Sequence, residues 1–174
     1  DLPDKRATKS AIRVAVVGAG PAGLTAAYYL AEAGVGVTLY DAEQEAGGMM
    51  RYALPEYRLP LDVLRQEIDL IMSGGITFKP NMNLGNDFTI ESLRNDGFKA
   101  ILLALGAQLP KKIPALENSK CPDIIWGIDF LKAIRNPQSA IDPAHPVDRN
   151  PSLRTGVCPQ LLGKKILVIG GGNV

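Results

Sequence analysis

Residues Gly18, Ala19, Gly20, Pro21, Ala22 and Gly23 set three glycines in a G-x-G-x-x-G spacing. That spacing suits a backbone that must come close to phosphate: the first glycine permits a tight turn and the second keeps a side chain out of the path of a pyrophosphate. The third lets a helix pack closely on the strand before it. Asp41 is the second group with chemistry to offer, because a carboxylate at the end of the next strand accepts hydrogen bonds from ribose hydroxyls. A glycine-rich turn that binds nothing, and an exposed acid at a strand end, are the plain alternatives. Strand, glycines, helix, strand and acid in that order favour a nucleotide, but do not by themselves separate FAD from NAD.

The elements that must hold these groups are legible in the apolar pattern. Ile12–Val17 is a short valine-rich run, as expected of a strand buried on both faces of a parallel sheet. Pro21–Ala33 follows as a helix, with proline in its first turn and Gly34 at its end. Val35–Tyr40 is a second strand, and so short a connection sets the two strands side by side in parallel. Leu61, Leu64, Ile68 and Ile71 recur at helical spacing, giving a helix over about Pro60–Ser73 that stops at Gly74 and Gly75. A strand at Ile76–Phe78, a short helix over Thr89–Asn95 capped by Thr89, and a buried strand at Phe98–Leu105 are expected next. Leu109–Pro122 reads as irregular, and Ile124, Ile128, Leu131 and Ile134 mark one more amphipathic helix. Five prolines between Asn136 and Gly163 indicate an extended connection. Lys164–Ile169 then repeats the opening pattern, a strand before Gly170, Gly171 and Gly172, as if a second dinucleotide site began there.

Composition excludes other classes. Hydrophobic residues make up 46% of the 174 positions, enough to build a core and to argue against disorder. Lysine plus arginine exceeds aspartate plus glutamate by 19 to 18, so no overall field recruits nucleic acid or an anionic membrane. The loop residues Arg51, Tyr52, Tyr57 and Arg58 are too few for a nucleic-acid face. A packed loop explains them better, with plain surface exposure the alternative for Arg51 and Tyr57. Lys5, Arg6, Lys9 and Arg13 before an uncharged run to Ala31 imitate a signal peptide or anchor, but Gly18, Gly20, Pro21 and Gly23 interrupt it, and no membrane role is expected. Cys121 and Cys158 lack metal or redox-pair spacing and read as free thiols in a reducing cytoplasm. The single histidine, His145, reads as a solvated loop residue, so no metal site is expected.

Beyond Asp41, the pair Gly47 and Gly48 resembles the FAD-type extension of the fingerprint in flavoproteins with two dinucleotide-binding domains. The stretch GGMMRYALPEYRLP, Gly47–Pro60, resembles the GGLLRYGIPEYRLP signature of the glutamate synthase small-subunit family. That family includes the flavin portion of dihydropyrimidine dehydrogenase and related ferredoxin-linked transhydrogenases. The likeness runs from Ile12 to Val174 and weakens in the proline-rich connection. It implies an α/β, Rossmann-like FAD-binding domain of the glutathione-reductase-like, three-layer β/β/α kind, followed by the first strand of a second nucleotide-binding domain. By the same resemblance, Gly18–Gly23 hold the pyrophosphate, Asp41 the adenosine ribose, and Gly48 and Met49 the phosphate and ribityl region, with Ala42 and Gly47 also among the cofactor-binding residues. Arg58 and Leu59 lie toward the isoalloxazine, Met82 lines the adenine edge, and Ala104, Leu105 and Gly106 close over the nucleotide. Gly170 and Gly172 belong to the second motif. The sequence departs from the family in having aspartate rather than the commoner glutamate at position 41, Leu105 for the threonine of ATG, and Ala53 for a glycine.

The resemblance further implies that NAD(P)H passes hydride to the flavin, which hands electrons to iron–sulfur centres and a large catalytic or iron–sulfur partner. No acid, base or nucleophile is nominated, because the cofactor carries the chemistry. Two four-thiolate clusters need about eight cysteines, so in a chain with two cysteines the clusters belong to a missing segment or a partner. The expected organisation is a disordered leader over 1–10, the FAD-binding part over 11–135, a connection over 136–163, and the start of an NAD(P)H domain over 164–174. Such a fragment is expected to bind FAD incompletely and not to turn over NADPH. An NAD(P)-binding dehydrogenase module, or a non-catalytic interaction domain keeping the fold, remain the alternatives.

Overall fold

The computed structural model describes residues 12–117, 124–135 and 165–170. Its first compact unit is formed by the residues up to Arg51 together with Leu59–Gly106. Strand β1 (Arg13–Val17) leads to helix α1 (Pro21–Glu32) and strand β2 (Gly36–Tyr40). Proline at the first helical position costs α1 nothing, since its missing N–H would have had no partner in the helix. Gly34, at φ +79°, turns the chain so that the N–H of Val35 reaches the Leu30 carbonyl at 3.0 Å. The short helix α2 (Met49–Tyr52) precedes α3 (Leu61–Met72), β3 (Thr77–Lys79), α4 (Ile90–Asn95) and β4 (Ala100–Leu103). Thr89 caps α4 as expected: its Oγ1 accepts the Ser92 N–H at 3.1 Å, and Ser92 Oγ accepts the Thr89 N–H at 3.0 Å.

The sheet is parallel throughout, in the order β3-β2-β1-β4. Ala15 of β1 therefore sits beside Thr38 on one flank and Ile101 on the other. Side chains alternate across a strand, and β1 serves two cores. Val14 and Val16 pack with Leu24, Ala27, Val37, Leu39, Leu64 and Ile68, on the face that α1 covers. Ala15 and Val17 pack with Tyr40, Phe88, Leu93 and Phe98 on the other. Each fully buried aliphatic side chain contributes about 1.5–3 kcal/mol, and these two cores fix where β1 ends.

The structure changes some of these expectations. The buried strand expected over Phe98–Leu105 narrows to β4, and its Leu102 and Leu103, with Leu105 beyond, are exposed. Among the described residues β4 pairs with β1 alone, and α1 packs over β1 and β2, so the apolar run lies at an edge. Phe98 turns into the second core instead.

Tyr52–Arg58 and the residues from Ala107 onward cluster as a second unit. There α5 (Pro114–Glu117) occupies part of the stretch expected to be irregular, and α6 (Gly127–Arg135) is the expected amphipathic helix. Arg135 forms an ion pair with Glu56, and Lys132 donates to Gln108 at 3.1 Å. Of the strand expected at Lys164–Ile169, the described part, Lys165–Ile169, has no strand pairing among the described residues, and Ile166–Ile169 are exposed. A strand exists through the neighbour that takes its hydrogen bonds, and no described strand adjoins this run. The expected leader over 1–10, the connection over 136–163, Cys121, Cys158, His145 and Gly172 lie outside the described residues.

Candidate dinucleotide-binding site

The three glycines of the loop after β1 are glycines for different reasons. Gly18 has φ +107°, and its N–H donates to the Tyr40 carbonyl at 2.8 Å. A Cβ there would lie 2.2 Å from the Ala104 carbonyl oxygen, because the chain beyond β4 runs directly against it, with the Ala104 N–H on the Val17 carbonyl at 2.7 Å. At Gly23 a Cβ would lie 1.7 Å from the Gly18 carbonyl oxygen, so α1 touches the loop that starts it. Gly18 and Gly23 are thus demanded by the protein's own packing. Gly20 is not. Its backbone is extended, with φ −77° and ψ −173°, and a Cβ would meet only the Gly48 Cα, at an ordinary 3.9 Å.

Gly20 is also the N-cap of α1, where among the described residues no side chain caps the helix, and no acidic residue stands in the first turn. The first amides of α1 consequently lack the protein cap that helix starts usually carry. Such a helix start attracts a bound anion.

A second wall comes from the loop after β2. The Gly47 N–H donates to the Ala19 carbonyl at 2.8 Å, and a Cβ on Gly48, at φ +51°, would lie 2.7 Å from the Gly20 Cα. Asp41 joins the two loops: its Oδ2 accepts the Ala19 N–H at 2.5 Å and its Oδ1 the Glu43 N–H at 2.8 Å. Asp41 and Met82 are neighbours through the backbone, the Met82 N–H donating to the Asp41 carbonyl at 2.8 Å. Met82 packs partly buried against the Tyr40 core. Gly18–Gly23, Asp41, Ala42, Gly47–Met49, Leu59, Met82 and Ala104–Gly106 accordingly fall in the first unit. Leu59 packs on its α1-side core. Arg58 and Gly170 fall in the second unit, and each is exposed.

Tyr57 lies at the surface, whereas Arg51 fits the packed-loop expectation, with only 4% of it exposed. What the sequence did not indicate is which groups hold Arg51. Its Nε donates to the Ala46 carbonyl at 2.7 Å and its Nη1 to Glu45 at 3.0 Å, bracing the chain just before Gly47. The sequence signal for this bracing was a cation three residues after the Gly47-Gly48 pair, a pattern that carries no periodicity.

A family model described as pyridine nucleotide-disulphide oxidoreductase matches residues 12–174. The chain belongs to this family. Within this family of oxidoreductases its curated relatives include the NADP(+)-dependent formate dehydrogenase subunit beta of Moorella thermoacetica, 38% identical over 97% of this chain and 21% of the relative. The glutamate synthase [NADPH] small chain of Mycobacterium tuberculosis is 36% identical over 92% of this chain and 31% of its own length. The NAD-dependent dihydropyrimidine dehydrogenase subunit PreT of Escherichia coli is 35% identical over 96% of this chain and 35% of its own length. The chain thus spans about a fifth to a third of these relatives. The resemblance to the glutamate synthase small-subunit group, first read from Gly47–Pro60, is borne out. Among solved structures, Mycobacterium tuberculosis FprA in complex with NADPH superposes with a TM-score of 0.65 over 74% of this chain and 31% of that chain, at 18% identity. That likeness supports the α/β, Rossmann-like fold. Among the described residues no helix is long and apolar enough to cross a membrane, and no cluster of three or more His, Cys, Asp or Glu could hold a metal.

Proposed function

We propose that this chain is the FAD-binding portion of an NAD(P)H-dependent flavin oxidoreductase that delivers electrons to an iron–sulfur or partner-subunit acceptor in the cytoplasm. The observation that carries the reading is Gly20: the fold leaves a side chain room there, yet none is present, and the position faces an uncapped helix start. A pyrophosphate needs that combination of clear approach and unpartnered amides. The names of the relatives, which specify NADP(+), NADPH and NAD and are subunits or small chains, support the nicotinamide donor and a partner subunit.

When bound, FAD would supply the redox chemistry that links a two-electron nicotinamide donor to one-electron acceptors. The residues of this chain bind and orient. The first amides of α1 hold the pyrophosphate, and Gly18 and Gly23 keep those amides at the mouth of β1. Asp41, with Ala42, meets the adenosine ribose, and Met82 lines the adenine edge. Gly47, Gly48 and Met49 form the wall toward the ribityl chain, with Arg58 and Leu59 leading to the isoalloxazine. Ala104, Leu105 and Gly106 form the far wall, while Gly170 and Gly172 open the motif for NAD(P)H.

Gly20→Ser tests the reading directly. Serine is a good N-cap, so the variant should melt at or slightly above the wild-type temperature. Its hydroxyl occupies the amides and the cradle, and FAD, followed by quenching of flavin fluorescence, should bind at least about tenfold more weakly. Undiminished FAD binding by Gly20→Ser would sink the assignment.

A further inference from the structure

We propose that Asp41 is a positioning residue for the glycine loop, setting pyrophosphate affinity through the Ala19 peptide in addition to meeting the ribose. The proposal rests on the nucleotide reading above. Both carboxylate oxygens of Asp41 are already engaged by backbone amides, and these amides come from different loops: Ala19 follows β1, and Glu43 follows β2. Hydrogen bonds from N–H groups to a carboxylate are among the stronger ones in proteins. Ala19 is held a second time, since its carbonyl accepts the Gly47 N–H at 2.8 Å.

The two peptide planes that meet at Ala19 are therefore pinned from opposite ends. The Gly18–Ala19 peptide is pinned by its N–H on Asp41, and the Ala19–Gly20 peptide by its carbonyl on Gly47. A peptide unit is planar, so the second contact also fixes the plane carrying the Gly20 N–H. Gly20 is the N-cap of α1, and the orientation of the helix start follows from these contacts. Ala19 itself is fully buried, and its N–H is spent on Asp41. The phosphate-binding donors are then the amides of α1 itself, and Asp41 acts on them at one remove. Length is part of the device. A glutamate would carry its carboxylate about 1.5 Å farther out, beyond the position that reaches Ala19 and Glu43 together.

Two probes separate this role from simple ribose binding: ADP, and the analogue of ADP whose sugar lacks both free hydroxyls. Each is titrated calorimetrically into the full 174-residue chain and its Asp41→Asn and Asp41→Glu variants. Amide hydrogen exchange is followed by NMR without ligand. The proposal expects both variants to weaken both probes by about tenfold. It also expects the Ala19 amide to exchange faster while the β1 amides of Val14–Val17 stay protected. A loss confined to ADP, with Asp41→Glu behaving as wild type, overturns the proposal and leaves Asp41 a ribose acceptor. Loss of protection throughout β1 in both variants overturns it as well, since Asp41 would then hold the fold rather than the loop. Failure of the wild-type chain to bind either probe overturns the nucleotide reading itself, whereas a binding-competent chain with an unprotected Ala19 amide overturns only the clamp.

Discussion

Val14–Val17 and Ile166–Ile169 are both apolar runs that end in glycine at positive φ, Gly18 at +107° and Gly170 at +99°. The first run is 0–7% exposed and the second 59–84%. Locally they look alike, but β1 lies between β2 and β4 while the second run has no strand partner among the described residues. A Cβ at Gly18 would collide with the Ala104 carbonyl, and one at Gly170 would meet nothing described within 4 Å. The need for glycine at the first motif therefore comes mainly from neighbours that close on it. A glycine-rich turn becomes a site when other segments of the chain wall it in.

The contrast breaks most readily at the glycines. Gly23→Ala would push α1 off the Gly18 carbonyl and should cost about 3 kcal/mol or more, abolishing the cooperative melt or shifting it far down. Gly170→Ala should cost about 1 kcal/mol, the local price of its backbone conformation, and comparable losses in chemical denaturation would contradict the comparison. A smaller effect is expected at the cations. Arg51→Met strands the Ala46 carbonyl and should cost about 2 kcal/mol, while Lys165→Met, in the exposed run, should stay within about 0.5 kcal/mol.

The smallest effect lies at alkaline pH. Tyr40 ends β2, stacks against Phe88 at 4.8 Å between centroids and is 4% exposed. Burial pushes its hydroxyl pKa above the ordinary 10.0, Asp96 adds to this, and Arg13 offsets part of it. The unfolded chain thus releases this proton first. The contribution to stability is complete below about pH 10 and is lost as pH rises through the folded value. Tyr40→Phe should flatten the alkaline limb of a stability–pH curve, and an unchanged limb would place its origin elsewhere.

Much of the architecture was legible because it is written in short-range patterns. The strand–helix–strand start, the α3 periodicity, the Thr89 cap and the place of Asp41 at the end of β2 each depend on residues within a turn or two of one another. The G-x-G-x-x-G spacing located the loop for the same reason. Other features were decided by groups far away in sequence. Burial of Arg51 needed the Ala46 carbonyl, and the exposure of Leu102 and Leu103 needed an edge position for β4. Lys165–Ile169 has the composition of a strand but finds no strand partner among the described residues. The sequence alone also could not separate Gly20, which the fold leaves free, from Gly18 and Gly23, which it requires. Periods and caps are local and can be read along the chain, whereas close approach and hydrogen-bond pairing belong to whatever the fold brings alongside.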